Sequence, residues 1–152
     1  MRHAGEVETD VKVGATRRTV AKEHECADVV MPHAGLHEND RTGLGFLPEA
    51  ELRDRIRKFF AEPDRCVMGR ETAHEAFARF AAAVAEIEAS MPKENIAIVT
   101  HGTVLTLFVS RHNKIAPFDL WTALRAPSYV VLDGPARIFD GSVHDFTGPE
   151  AG

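Results

Sequence analysis

An α/β layer fold is what this sequence predicts. Segments with the apolar spacing of amphipathic helices alternate with short apolar runs, and layered α/β folds read that way. One of those runs, Ile96–Val99, is unbroken and stands between two helices with short joins, the local pattern of a doubly wound sheet. The 152 residues, 44% hydrophobic and 27% charged, suit one domain with one core and exclude wholesale disorder.

The elements follow in order. Residues 12–24 read as a short helix, with Val13, Thr16 and Val20 on one face and basic residues on the other. Asp28–Met31 is an apolar run ended by Pro32, hence a strand. Residues 33–46 are rich in Gly, Asn and Asp and read as a loop. Pro48 stands where a helix starts, and Leu52, Ile56, Phe59 and Phe60 recur along one face up to Pro63. Thr72 and Glu75 form a capping box for a helix over 73–90, whose apolar stripe is Phe77, Phe80, Ala81, Val84 and Ile87. After a turn at 92–95, Ile96–Val99 reads as a central strand covered on both faces. A helix over 103–112 follows at once. Residues 118–124 read as another helical piece, and 128–132 and 136–139 as strands around the turn Asp133-Gly134. The domain spans 1–152, with 1–9 a strand remnant or tail and 145–152 a frayed tail.

The net charge of −5 argues against a non-specific nucleic-acid binder, which carries a basic stripe. No window approaches the ~18 apolar residues of a membrane span, and residues 1–20 show no secretory signal. Cys26 and Cys66 make neither a disulfide framework nor a zinc site, so a reducing, cytoplasmic setting is expected. His24, His33, His74, His112 and His144 show no metal-ligand spacing among themselves, and neither a metal nor a cofactor is expected.

Four groups could carry chemistry. Thr100-His101-Gly102 lies at the carboxyl end of a strand, where α/β sheets bind ligands, and the next helix aims its free N–H groups there. Gly102 lets the backbone approach a ligand closely. His101 either holds an oxyanion or merely caps its own loop. Leu36–Arg41 includes Glu38, a carboxylate able to give a proton to a leaving oxygen; the plainer reading is a solvated polar loop. Lys12, Arg17 and Arg18 are phosphate ligands or a wet helix face. Arg2-His3-Ala4 is a phosphate-binding nucleophile pair or a terminal tail.

Together these pieces resemble the histidine phosphatase superfamily, the phosphoglycerate-mutase-like fold. Gly69-Arg70-Glu71-Thr72, the Ala-rich helix, the strand and Thr100-His101-Gly102 resemble its second half. Leu36-His37-Glu38-Asn39-Asp40 is similar to its acid-bearing segment, and Asp10–Thr16 to its phosphate-binding basic segment. The similarity runs from about residue 7 to 140, in the family's order. It implies a three-layer α/β/α fold with a mixed, mostly parallel sheet. It implies phosphomonoester hydrolysis or phosphoryl transfer through a phosphohistidine, on a phosphorylated small molecule. His101 would bind and polarise the phosphoryl group and Glu38 would be general acid, then base. Lys12, Gly102 and Thr103 would hold phosphate oxygens.

The family's R-H-G motif ends a first strand, separated from the basic segment by a helix and a second strand. Seven residues lie between Ala4 and Lys12, too few for a parallel crossover of about a dozen residues or more. Either the chain starts within the family's second strand, with Gly5–Thr9 its remnant, or Arg2 and His3 form the motif, joined by an internal deletion. No apolar strand precedes Arg2, which favours the first. The expected consequences are a partial site with weak or no activity and an unpaired edge at Ile96–Val99. Low stability or self-association through that edge would follow. A non-catalytic phosphate- or metabolite-binding domain, or an interaction domain, is the alternative.

Overall fold

A computed structural model of the chain describes residues 30–125 and 127–145, and the backbone of 12–16. Helix α1, Glu49–Ala61, starts after Pro48, with Glu49 and Glu51 in the first turn, where the helix dipole favours negative charge. It ends before Pro63, with the Glu62 N–H donating to the Lys58 carbonyl at 2.8 Å. Helix α2, Ala73–Ser90, opens on the expected capping box: Glu75 N–H to Thr72 Oγ1 at 3.1 Å and Thr72 N–H to Glu75 Oε2 at 2.8 Å. Its buried stripe is Ala73, Ala76, Phe80, Ala83, Val84 and Ile87. Phe77 and Ala81, expected in that stripe, are partly buried beside it. Helix α3, Gly102–Asn113, is the most enclosed, with 106–110 and Thr103 and Val104 all buried. Helix α4, Pro117–Ala123, starts on a proline.

The core lies among these helices and a 3-10 turn, Ala34–Leu36. Leu36, Ile56, Phe59, Phe80, Val84, Val104 and Phe108 form it, with Phe80 edge-on to Phe108 at 5.4 Å.

The strands depart from expectation in three ways. Residues 12–16, assigned above to a helix, form strand β1, Lys12–Thr16. Val13 and Thr16 have the spacing of a helix face, but β-branched side chains also suit a strand, and Gly14 weakens a helix. The ladder decides: β1 runs between β2, Val30–Pro32, and β3, Asn95–Ile98, pairing Val13 with Met31 and Ile98. Residues 17–24 and 28–29 lie outside the described ones.

Second, the expected parallel pairing is replaced, among the described residues, by antiparallel pairs throughout. Antiparallel neighbours need no crossover, and β1 meets β3 from the opposite direction. Third, β3 is the end strand of the order β2-β1-β3, and its residues alternate between exposed and half-buried. Val99 is 60% exposed, so the run is not covered on both faces. Ile96 and Ile98 pack their inner faces on the helical core. Three layers are not displayed by the described residues.

The region 128–139 divides further than expected. Strand β4, Ser128–Tyr129, pairs with β7, His144–Asp145; β5, Leu132–Asp133, pairs with β6, Ile138–Phe139, around Gly134.

Candidate active site

The loop from His33 to Arg41 has no regular structure to satisfy most of its backbone, so its carbonyls need other donors. It gets them from side chains. Arg79 of α2 donates from Nη1 to the carbonyls of Gly35 and His37, at 2.8 and 3.0 Å, and from Nη2 to that of Glu38 at 3.3 Å. Thr100 Oγ1 donates to the Leu36 carbonyl at 2.7 Å. Arg79 is itself held by Glu71 through a bidentate pair, 2.8 Å at Oε1 and 2.9 Å at Oε2. Glu71 Oε2 also accepts the Asp40 N–H at 3.1 Å. Beyond it, the Arg70 N–H donates to the Asp40 carbonyl at 3.0 Å.

Burial pushes the Glu71 carboxyl up, but hydrogen bonds from Arg79 and the Asp40 N–H, with the Arg79 charge, outweigh it and hold it below its ordinary 4.5. Asp40 is also lowered, chiefly by its hydrogen bonds with Thr42, whose N–H donates to Oδ1 at 2.8 Å.

Loop and helix meet at Glu38. Its Oε1 accepts the N–H groups of Asn39 at 3.0 Å and Val104 at 3.2 Å. Its Oε2 accepts the Thr103 N–H at 3.2 Å and Arg41 Nη2 at 3.4 Å. Arg41 Nη2 also donates to Thr103 Oγ1 at 2.9 Å, and its Nε to Asn39 Oδ1 at 3.1 Å. Asn39 is 2% exposed, and its Nδ2 has no partner among the described residues. Glu38 thus sits on the first amides of α3, where the sequence points to an oxyanion. A carboxylate fills that place because helix N-termini favour negative charge and offer unpaired donors.

His101 is the N-cap residue of α3, extended at φ −116° and ψ 156°, and makes no side-chain cap bond. Its carbonyl accepts the Leu105 N–H at 3.1 Å. Gly102 has no positive φ, and a Cβ there would stand 3.8 Å from Trp121 Nε1, an ordinary contact. Its neighbour is an indole, and its conformation does not demand glycine. Trp121 stacks on Phe118 at 5.8 Å, and the Arg53 guanidinium lies over its ring at 5.7 Å.

The structure therefore brings Glu38 to Thr103 and to the turn that His101 and Gly102 open. Lys12 contributes a backbone position: it begins β1, one residue from the Val13–Ile98 pair, near the end of β3 that leads to His101. Arg2 and His3 lie outside the described residues. Sequence reasoning missed the Glu71–Arg79 pair. Its one signal is an arginine in an Ala-rich helix eight residues after Glu71.

Among the described residues no three His, Cys, Asp or Glu gather as a metal site, and no helix is long and apolar enough to cross a membrane.

The family model of the histidine phosphatase superfamily (branch 1) matches residues 14–133. No curated protein and no solved structure matches the chain.

Proposed function

Because the chain belongs to the histidine phosphatase superfamily, we propose that it acts on phosphomonoesters, with His101, Glu38 and the opening turn of α3 as its part of the site. His101 binds and polarises the phosphoryl group. Lys12 and the N–H groups of Gly102 and Thr103 hold phosphate oxygens. Glu38 gives a proton to the leaving oxygen and later takes one from water. In the family's reaction an imidazole nitrogen bonds to phosphorus as the ester P–O bond breaks. Water then breaks the P–N bond and phosphate leaves. The Arg-His pair ahead of the basic segment is Arg2-His3, and the seven residues between Ala4 and Lys12 leave no room to set it on a strand by an ordinary crossover. Little or no turnover is expected from the chain by itself.

The observation that supports this reading is the pair of 3.2 Å contacts from Glu38 to the amides of Thr103 and Val104. They set the proton-donor candidate on the helix that His101 caps. For phosphate to take the Thr103 amide, the Glu38 side chain must swing aside.

The test is a titration of the chain with phosphate or vanadate, followed by NMR, beside a p-nitrophenyl phosphate assay with phosphohistidine trapping. The amides of 101–104 should shift, His101→Ala should abolish the shift, and turnover should be slight. Silent amides at saturating phosphate would sink the reading. Enzyme-like turnover that His3→Ala abolishes would instead make Arg2-His3 the working nucleophile.

A second reading, an interaction domain working through the end strands of the β2-β1-β3 sheet, draws on the exposure of Val99 beyond β3 and of Val30 and Met31 in β2. It predicts concentration-dependent association without phosphate binding, read by sedimentation.

A further inference from the structure

We propose that Arg79, oriented by Glu71, is the positioning residue that sets Glu38 on the opening turn of α3; its bearing on chemistry rests on the reading of Glu38 as the proton donor. One guanidinium reaches three carbonyls of the same loop, those of Gly35, His37 and Glu38. The last belongs to the acid itself. Glu71 fixes the orientation of that guanidinium by accepting from its Nε and Nη2 and also takes the Asp40 N–H. The backbone is therefore pinned at Glu38 and two residues beyond it, from one ion pair on one side. With its backbone held, Glu38 keeps only side-chain rotations, and those carry its carboxylate to or from Thr103 and Val104.

The chemistry of the fork makes Arg79 specific. Arginine offers five N–H groups in a plane, and here they divide between a carboxylate and three carbonyls. Lysine keeps the charge and much of the stem but presents a single donor centre. It preserves the helix while losing most of the loop bonds. The pair is partly buried, with side-chain exposures of 21% and 13%, so water does not readily replace those bonds. The rest of the loop is anchored separately by Leu36, which is fully buried, and by Thr100 at the Leu36 carbonyl. Weakening the fork therefore frees the Glu38 end more than the Leu36 end.

The experiment follows the Thr103 and Val104 amides of the 152-residue chain by NMR through an acid titration, in wild type, Glu38→Gln, Arg79→Lys and Glu71→Gln. In wild type both amides should show a step as the Glu38 carboxylate takes a proton, and Glu38→Gln should remove it. Arg79→Lys should cut the step to about half or less while the other α2 and α3 amides keep their dispersion. Glu71→Gln should act in the same direction, because it loosens the guanidinium. A wild-type step in either folded variant overturns the proposal. So does a wild-type chain with no step that depends on Glu38, or loss of folding in both variants, which would make the pair a core element. If the steps behave as expected but phosphate binding and turnover ignore Glu38→Gln, the positioning stands and the acid role falls.

Discussion

At the scale of single residues, the site depends on close approaches that leave no room for a larger atom. Gly69 is the sharpest case. Its φ is +75°, and a Cβ built on it would lie 1.8 Å from the Asp40 carbonyl oxygen and 2.6 Å from Arg41 Cα. Both neighbours are backbone, so neither can rotate away. Gly69→Ala should cost about 3 kcal/mol or more, combining left-handed strain with forced separation of two loops. A urea denaturation series measures it; a loss under about 0.5 kcal/mol, the range of an ordinary surface change, would contradict this packing. The displaced segment carries Arg41, whose bond to Thr103 closes the Glu38 cluster. The substitution should therefore also weaken phosphate-induced shifts at 101–104. Glycine in Gly69-Arg70-Glu71-Thr72 has a physical reason, and Glu71 and Thr72 have others: a loop clamp and a helix cap.

At the scale of elements, the two helix starts contrast. Helix α2 is capped locally by Thr72 and Glu75, whereas α3 takes its acceptor from Glu38, 65 residues before Thr103. Thr72→Ala removes one partner of the box and should cost about 1 kcal/mol, lowering Tm by roughly 2–4 °C for a chain of this size. Differential scanning calorimetry reads this directly, and an unchanged Tm would mean the box adds nothing. The contrast also explains what was legible beforehand. Helices α1 and α2 could be read because a starting proline or a capping box and the apolar spacing lie within one segment, and α3 because it follows directly on an apolar run. His101, Gly102 and Thr103 could be placed at a strand-to-helix junction for the same reason. Strand β1 could not, since Val13 and Thr16 satisfy both periods and the deciding ladder with Ile98 is distant in sequence. Nor could the filling of the α3 N-terminus by Glu38, or the reach of Arg79 to Gly35, 44 residues away. Polar contacts between distant segments leave no periodic trace.

For the molecule as a whole, the apolar core is helical, and the described strands contribute half-buried residues at its edge. Leu36 ties the 33–41 loop to that core through apolar contact, and Glu71 and Arg79 add an ionised polar tie beside those from Thr100 and the opening turn of α3. Such an attachment carries a pH dependence whose sign follows from Glu71. Its carboxyl titrates below the ordinary 4.5 in the folded chain. In acid the unfolded chain therefore binds the proton first. The stabilisation is complete above about pH 4.5 and is lost as pH falls through the lower, folded value. Asp40, also lowered and half-buried, has the same sign, with its interactions partly screened by water. Replacing Glu71 by glutamine removes the titrating group and leaves the Arg79 charge without its partner. At pH 7 this should cost about 2–3 kcal/mol, below the range for a fully buried pair because both side chains keep some contact with water. Urea unfolding at pH 7, 5, 4 and 3 should show the wild type losing stability faster than Glu71→Gln below about pH 4.5, so that the two curves converge in acid. Parallel curves across that window would show that the protonation of Glu71 does not govern the hold of this loop on the helices.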